Sequence, residues 1–198
     1  SEERPYKQLE NVNMNFVKEL MQIIDPFRAD EYSEWMDIGW TLYNVTQGST
    51  EGFELWCLFS KQCEDKFDKG SCRDLWEKME IGDKTLGSLR YYAKTDNESE
   101  YNKIVKKYAK TKIADSVGGS HNDIAKIMYE LHGDEYVCAS IKYKQWFKMD
   151  GTRWKQIDDG VGLRRLLSSE LTHYYAEIAG DFSKKLATSN EQMGEDKM

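Results

Sequence analysis

The sequence has few of the residues that break helices or build metal and disulfide sites. Only two prolines occur in 198 residues, Pro5 and Pro26, so helices can run long without the hydrogen bond that proline removes. The four cysteines are irregularly spaced, which is typical of a reducing, intracellular compartment rather than of a disulfide framework. Since the sequence contains no run of about 18 apolar residues, it predicts no membrane span.

Motifs for the common catalytic centres are also missing. The nearest string to a phosphate-binding P-loop, Gly82–Thr85, lacks the first glycine of that motif and a preceding strand. Asp158 and Asp159 form the only adjacent aspartate pair, and they precede a predicted helix, where aspartate acts as a cap. We therefore expect no catalytic residue and no cofactor in this chain, neither for NTP hydrolysis nor for metal-dependent nucleotide polymerisation.

Three thiols lie close together in the sequence, at Cys57, Cys63 and Cys72. Structural zinc is usually held by closer pairs, two to four residues apart, and no histidine lies nearby. A buried apolar role for Cys57, beside Trp56, is the stronger interpretation. We expect no metal ligands, and a small zinc-dependent or nucleotide-processing enzyme stays as an alternative that metal analysis would test.

Aromatic and charged residues are plentiful. Aromatic residues make up 13% of the chain, enough to build a substantial core, and charged residues make up 32%. The net charge of −7 argues against a protein whose whole surface binds nucleic acid, although it permits a local basic patch.

The hydrophobic spacing predicts a mainly α fold with a small α+β module. A helical bundle should occupy residues 1–113, a Ser/Gly-rich linker 114–119, a helix–β-hairpin–helix domain 120–187, and a disordered tail 188–198. Asp150-Gly151 between two β-like runs indicates a two-residue hairpin turn. Predicted helices span residues 13–24, 32–45, 50–59, 71–79, 85–93, 97–112, 120–132 and 161–178.

One basic patch is a predicted helical stripe of lysines opposite an apolar face. A solvated helix face is the common interpretation of such a stripe, and phosphate contact is the functional one. The stripe consists of Lys103, Lys106, Lys107 and Lys110.

A second basic patch lies on the predicted hairpin, where cations alternate with aromatic residues. Single-strand grooves use this combination, with aromatic side chains stacking on bases and cations contacting phosphates. The alternative is a two-sided hairpin with aromatics on the core and cations in water. Arg164 and Arg165 either extend the patch or lie at a subunit contact. The hairpin cations are Lys142, Lys144, Lys148, Arg153 and Lys155.

An ordered set of motifs in the first segment resembles a primase C-terminal helical domain. The set begins with "W-x-x-[IV]-G-x-x-L", continues with "W-x-x-[FW]-S" and a later tryptophan, and closes with "T-[IL]-G-S-L". The resemblance covers about residues 13–112 and implies a structural role for its motif residues. These are Trp35, Gly39, Trp56, Ser60, Trp76 and Leu89.

The second segment resembles the poxvirus-type module that precedes superfamily III helicases. Its most specific motif is the hairpin "W-[YF]-x-[WFM]-[DN]-G-x-x-W", carried by Trp146, Asp150, Gly151 and Trp154. In this order the two segments resemble the centre of primase–helicases of large nucleocytoplasmic DNA viruses. In that family a primase precedes them and an NTP-driven hexameric helicase follows.

The resemblance implies a non-catalytic connector that guides DNA at a viral replication site in the host cell. The expected partners are single-stranded or forked DNA, the flanking primase and helicase domains, and neighbouring subunits of a hexameric ring. Mg²⁺ and NTP are expected only in those flanking catalytic domains. The main alternative is a protein-interaction or oligomerisation module that makes no DNA contact.

Overall fold

The computed structural model describes residues 12–115, 120–133, 135–150, 153–158 and 160–195. The chain forms two compact units, Ser1–Ile104 and Val105–Met198. The boundary lies within a helix and before the predicted domain end at residue 113. Apolar residues 105, 109 and 113 pack with the second unit, which explains the earlier boundary. Residues 116–119 of the predicted linker lie outside the described residues.

The first unit is helical, as the apolar spacing predicts. One helix start differs: Asp68 caps α5 by accepting a hydrogen bond from the Ser71 amide at 2.6 Å, so Ser71 lies inside the helix that it was predicted to begin. The elements are α1 (Met14–Gln22), α2 (Phe27–Asp30), α3 (Tyr32–Thr46), α4 (Thr50–Ser60), a 3-10 turn (Glu64–Lys66), α5 (Lys69–Trp76), α6 (Leu86–Asp96) and the start of α7 (Glu98–Asp115).

A tryptophan cluster forms the centre of the first unit. The rings of Trp35 and Trp56 stack at 4.7 Å, and those of Trp56 and Trp76 lie 5.8 Å apart. Trp35 Nε1 donates to Ser60 Oγ at 2.7 Å, and Ser60 Oγ donates to the Trp56 carbonyl at 2.7 Å. Gly39 has no side chain and so leaves room for the Trp56 ring. The motif residues of α3, α4 and α5 therefore meet in one core, and the motif residue of α6, Leu89, is also fully buried.

A charged network joins α2, α3 and α6. The Arg28 guanidinium donates two hydrogen bonds to Asp96, at 2.7 and 2.6 Å, and a further one to Glu34. Asp96 also accepts from the Asp25 amide at 2.9 Å. Burial raises the pKa of Asp96, but the hydrogen bonds from Arg28 and Asp25 outweigh it and hold that pKa below its usual value.

The second unit combines the end of α7 with α8, a small sheet and α9. The strands form an antiparallel sheet in the order β1-β2-β3. The buried core residues of the helices are Ala109, Ile113, Ile127, Leu131, Leu171 and Tyr174. The element bounds are α8 (His121–His132), β1 (Tyr136–Ser140), β2 (Gln145–Asp150), β3 (Arg153–Ile157) and α9 (Val161–Glu195).

Helix α9 is longer than the sequence pattern indicates. It has 35 residues and continues well past the predicted end at residue 178. Residues 188–195 of the predicted tail therefore lie in a helix. Within the described ranges, no helix is long and apolar enough to cross a membrane.

His132, in the last turn of α8, contacts Glu170 of α9. Its Nε2 lies 2.8 Å from Glu170 Oε2, and its Nδ1 lies 3.8 Å from Glu135 Oε2. Burial lowers the pKa of His132, but the two carboxylates outweigh that effect and raise the pKa above its ordinary value. The charged imidazolium therefore stabilises this helix pair fully below the unfolded-state pKa of about 6.5, and the stabilisation is lost as the pH rises through the folded-state pKa.

The close approach of Gly39 to Trp56 predicts that Gly39→Ala destabilises the first unit. An added Cβ would lie 2.7 Å from Trp56 Cε2, so the ring or the helix must shift, at a cost of about 1–3 kcal/mol. Urea denaturation followed by tryptophan fluorescence measures the loss. Gly82→Ala is the control, because its Cβ would meet its nearest atom at 3.7 Å. Equal midpoints for the two variants would show that the packing at Gly39 is loose.

The buried carboxylate of Asp96 predicts a pH-dependent stability contribution. Asp96→Asn should lower the free energy of unfolding at pH 7 by about 2 kcal/mol. This loss lies between those typical of breaking a surface ion pair and a buried ion pair. Because the folded-state pKa is depressed, the contribution is complete above the unfolded value of about 3.9 and disappears as the pH falls through the folded-state pKa.

Urea denaturation at neutral and acidic pH checks this difference. Glu34→Gln is the matched control, because Glu34 also pairs with the Arg28 guanidinium. The Glu34 side chain is 44% exposed, so we expect its replacement to lower the free energy of unfolding by less than about 1 kcal/mol. A loss for Asp96→Asn that stays constant down to the lowest pH would contradict the prediction.

Candidate nucleic-acid interface

The three-stranded sheet of the second unit has two different faces. Lys148 pairs with Lys155 across β2 and β3, and with Tyr136 across β2 and β1. Directly paired residues point to the same side of a sheet, and neighbours in a strand alternate between the two sides. Tyr136, Lys148 and Lys155 therefore share one side, and Trp146 and Arg153, each two residues away along a strand, share it too. We call this side the cationic face, and its cations and aromatics are Tyr136, Trp146, Lys148, Arg153 and Lys155. The register also places Cys138, Asp150 and Ile157 on this side.

The cations of this face are solvent-exposed and mutually close. Lys148, Arg153 and Lys155 are all exposed, and Lys148 Nζ lies 5.3 Å from the centre of the Tyr136 ring. The described part of the chain supplies no ion-pair partner for these three side chains. Like charges directly opposite each other destabilise a sheet, so this arrangement favours an anionic ligand that contacts both lysines.

Sheet-edge protection explains part of the positive charge. Strand β3 is an edge strand, and charged residues on an edge hinder pairing with further strands. That explanation covers Arg153 and Lys155. It does not cover Lys148, which lies on the central strand β2, so Lys148 is the cation that most specifically indicates a ligand.

The hairpin aromatics separate only in part from the cations: Phe147 and Trp154 lie on the opposite face, as the two-sided interpretation expected, whereas Trp146 does not. Trp146 is two residues from Lys148 and shares its face, half-buried against Gly160, where an added Cβ would lie 3.4 Å from the indole. Trp154 pairs with Met149 on the opposite face and is 45% exposed. That opposite face has no charged side chain among its described residues, Val137, Phe147, Met149, Trp154 and Gln156.

The predicted hairpin is present, with Asp150 paired to Arg153. Gly151 and Thr152, which connect the two strands, lie outside the described residues, as does the side chain of Asp150. Asp159 also lies outside them.

The remaining hairpin and helix cations lie away from the β2–β3 ladder. Lys142 and Lys144 are exposed in the turn between β1 and β2, and Arg164 and Arg165 are exposed near the start of α9. None of these four residues has a place in the strand register that joins Lys148 to Lys155.

The α7 lysines are largely engaged within the chain. Lys103 pairs with Glu100 at 2.6 Å, and Lys110 pairs with Glu177 at 2.6 Å. The hydrogen bond from Lys110, with further attraction from Lys106, lowers the pKa of Glu177. Lys107 Nζ lies 5.4 Å from the Tyr108 ring. These contacts favour the solvated-face interpretation of this stripe.

The three thiols of the first unit lie in two different environments. Cys57 and Cys72 are buried and contact each other, and burial raises the pKa of Cys72 to about 11. Cys63 instead donates to Asp30 Oδ1 at 3.3 Å. In the described ranges, no group of three His, Cys, Asp or Glu side chains converges on one point.

Two family models match the chain, one in each unit. The model called Primase C terminal 2 matches residues 17–93, and the model called D5 N terminal like matches residues 125–196. The chain carries a primase C-terminal domain followed by a D5 N-terminal-like domain. The tryptophan cluster belongs to the primase C-terminal domain, and the cationic face belongs to the D5 N-terminal-like domain.

Curated relatives are helicase-named proteins of large DNA viruses. The chain is 34% identical to the protein named helicase L207/L206 of Acanthamoeba polyphaga mimivirus, over 80% of this chain. It is 32% identical to the protein named helicase 022R of Frog virus 3, over 78% of this chain. In both cases the chain spans 16% of the relative's length, so both domains form one section of much longer proteins.

Tyr136 is a member of the cationic face that was not among the residues predicted to contact DNA. Its ring lies beneath Lys148 because β1 pairs with β2 in a register that places the two residues opposite each other. Twelve residues separate them in the sequence, so only the strand register reveals the contact.

The like-charge pair predicts that Lys155→Glu stabilises the D5 N-terminal-like domain. Replacing Lys–Lys by Lys–Glu across β2 and β3 should raise the free energy of unfolding by about 0.2–1 kcal/mol. Thermal unfolding followed by circular dichroism measures the gain. Lys142→Glu makes the same charge change in the β1–β2 turn and should leave the stability close to that of the wild type. A loss of stability in Lys155→Glu would contradict the register.

Proposed function

We propose that this chain is the non-catalytic section that connects the primase and the superfamily III helicase of a viral replication primase–helicase, and that its sheet guides single-stranded or forked DNA. The order of the two domains and the helicase names of the viral relatives support the connector role. Lys148 opposite Lys155 carries the DNA-guiding role, because adjacent exposed cations suit the phosphates of a passing strand.

The remaining steps of replication would belong to other parts of the full-length protein. NTP hydrolysis, Mg²⁺ binding and nucleotide polymerisation would take place in the flanking primase and helicase domains. Neighbouring subunits of a hexameric ring would place several cationic faces around one strand. The site of action would be the place of viral replication inside the host cell, in a reducing environment.

A pure interaction module is the second candidate, and one feature of α9 favours it. Phe182 and Leu186 are 51% and 65% exposed and lie four residues apart, on one side of the helix. An exposed apolar pair of this kind suits contact with another protein. The net charge of −7 also agrees with this alternative.

Charge reversal on the cationic face tests the DNA-guiding role. The double variant Lys148→Glu/Lys155→Glu retains like charges across the two strands, so the stability of the fold should change little. Fluorescence anisotropy with labelled single-stranded DNA at several salt concentrations should show at least about tenfold weaker binding than the wild type. The slope of log affinity against log salt should shrink by about 1.4, because two phosphate contacts are lost.

The matched control is Lys61→Glu/Lys78→Glu, which makes the same change in net charge on exposed residues of the first unit. We expect this control to bind nearly as the wild type does. Equal loss in both double variants would mean that only the net charge matters. Absence of salt-sensitive binding by the wild type at low salt would favour the interaction module instead.

A further inference from the structure

The turn between β1 and β2 exposes one apolar and one aromatic side chain, each next to a lysine. Residues Ile141–Lys144 read Ile-Lys-Tyr-Lys, and Ile141 and Tyr143 are 88% and 69% exposed. A large exposed apolar side chain at the tip of a hairpin gains nothing from the core of its own domain. Two of them, each next to a cation, indicate a ligand with flat apolar and anionic parts.

The turn is an ordered structure. The Lys144 amide donates to the Ile141 carbonyl at 3.2 Å, and the Tyr143 amide donates to Ser140 Oγ at 3.2 Å. Lys144 has a φ of +52°, a left-handed conformation that glycine or asparagine adopts more easily than lysine does. A lysine at this position therefore costs backbone stability relative to glycine or asparagine, and it places a cation next to Tyr143.

The Tyr143 ring contacts a neighbouring lysine but remains accessible to solvent. Lys142 Nζ lies 5.2 Å from the centre of the ring, and the side chain nevertheless remains largely exposed. A ring in this position can stack on a flat ligand, while the ammonium group beside it meets an anion attached to that ligand. An unpaired nucleotide has both parts, since it joins a planar base to a phosphate.

The charge around the turn favours nucleic acid over a protein partner. From Tyr136 to Met149 the sequence contains three lysines and no carboxylate, and the cationic face begins on the same two strands. Protein–protein interfaces are depleted in lysine relative to the rest of the surface, whereas cations beside aromatics are typical of single-strand binding surfaces.

We propose that the β1–β2 turn contacts unpaired bases of single-stranded DNA, with Tyr143 as the stacking residue and Ile141 as an additional apolar contact. This inference rests on the proposed function, since the strand must reach the same sheet. It adds a preference for single-stranded over duplex DNA, because bases inside a duplex are already stacked on their neighbours. Stacking accepts every base, so the turn would select by strandedness and not by sequence.

Fluorescence of an adenine analogue tests the base contact. The 198-residue chain is titrated into a short thymidine oligonucleotide with one central 2-aminopurine, whose emission falls when it stacks on an aromatic ring. We expect quenching by the wild type and by Tyr143→Phe, which keeps the ring. Tyr143→Ala should quench little and bind about fivefold or more weakly, with an unchanged salt slope. Tyr32→Ala is the control, because Tyr32 is similarly exposed, at 67%.

The possible failures can be told apart. If Tyr143→Ala binds and quenches as the wild type does while Lys148→Glu/Lys155→Glu weakens binding, the base contact is wrong and the proposed function stands. If Tyr143→Phe behaves like Tyr143→Ala, the hydroxyl and not stacking is responsible, which overturns the inference. If Tyr143→Ala instead changes the sedimentation of the DNA-free chain, the turn is a contact between copies. If the wild type does not bind the oligonucleotide, both proposals fail.

Discussion

The register between β2 and β3 is the constraint on which the proposed interface depends. It places Lys148 opposite Lys155, with Arg153 and Asp150 on the same side, and Met149 opposite Trp154 on the uncharged side. A slip by one residue would move every side chain of β3 to the opposite side. Trp146 lies against Gly160 and anchors the hairpin to the segment that leads into α9. The position of the positive charge therefore follows from packing and not from composition alone.

The two units place their polar groups in different environments. In the primase C-terminal domain, Trp35 and Ser60 complete a hydrogen-bonded aromatic core, and Arg28 neutralises the buried Asp96. These groups satisfy one another and leave little for a ligand to bind. In the D5 N-terminal-like domain, the cations of the sheet lie in solvent beside the half-buried aromatics Tyr136 and Trp146. This difference locates the proposed contact with DNA in the second unit, although the chain as a whole is acidic.

Helices and the hairpin could be predicted from the sequence because they follow from local patterns, such as apolar spacing around Trp35 and Ile38 or Asp-Gly between β-like runs. The start of α5 differs from the prediction, because Asp68 and Ser71 are both good caps three residues apart and Asp68 caps the helix. The predicted length of α9 was wrong, because the polar second half of this helix has little apolar periodicity. The contact between Tyr136 and Lys148 required the strand register, which no local pattern contains.

The proposed contact with DNA depends on Lys148 and Lys155, and amine-modification footprinting tests it most directly. The chain is treated with a lysine-reactive reagent with and without single-stranded DNA, and the modification of each lysine is measured by mass spectrometry. We expect DNA to protect Lys148 and Lys155 strongly, and to leave the exposed Lys78 of the first unit as reactive as before. Unchanged reactivity at Lys148 and Lys155 under conditions where the DNA is bound would contradict the account.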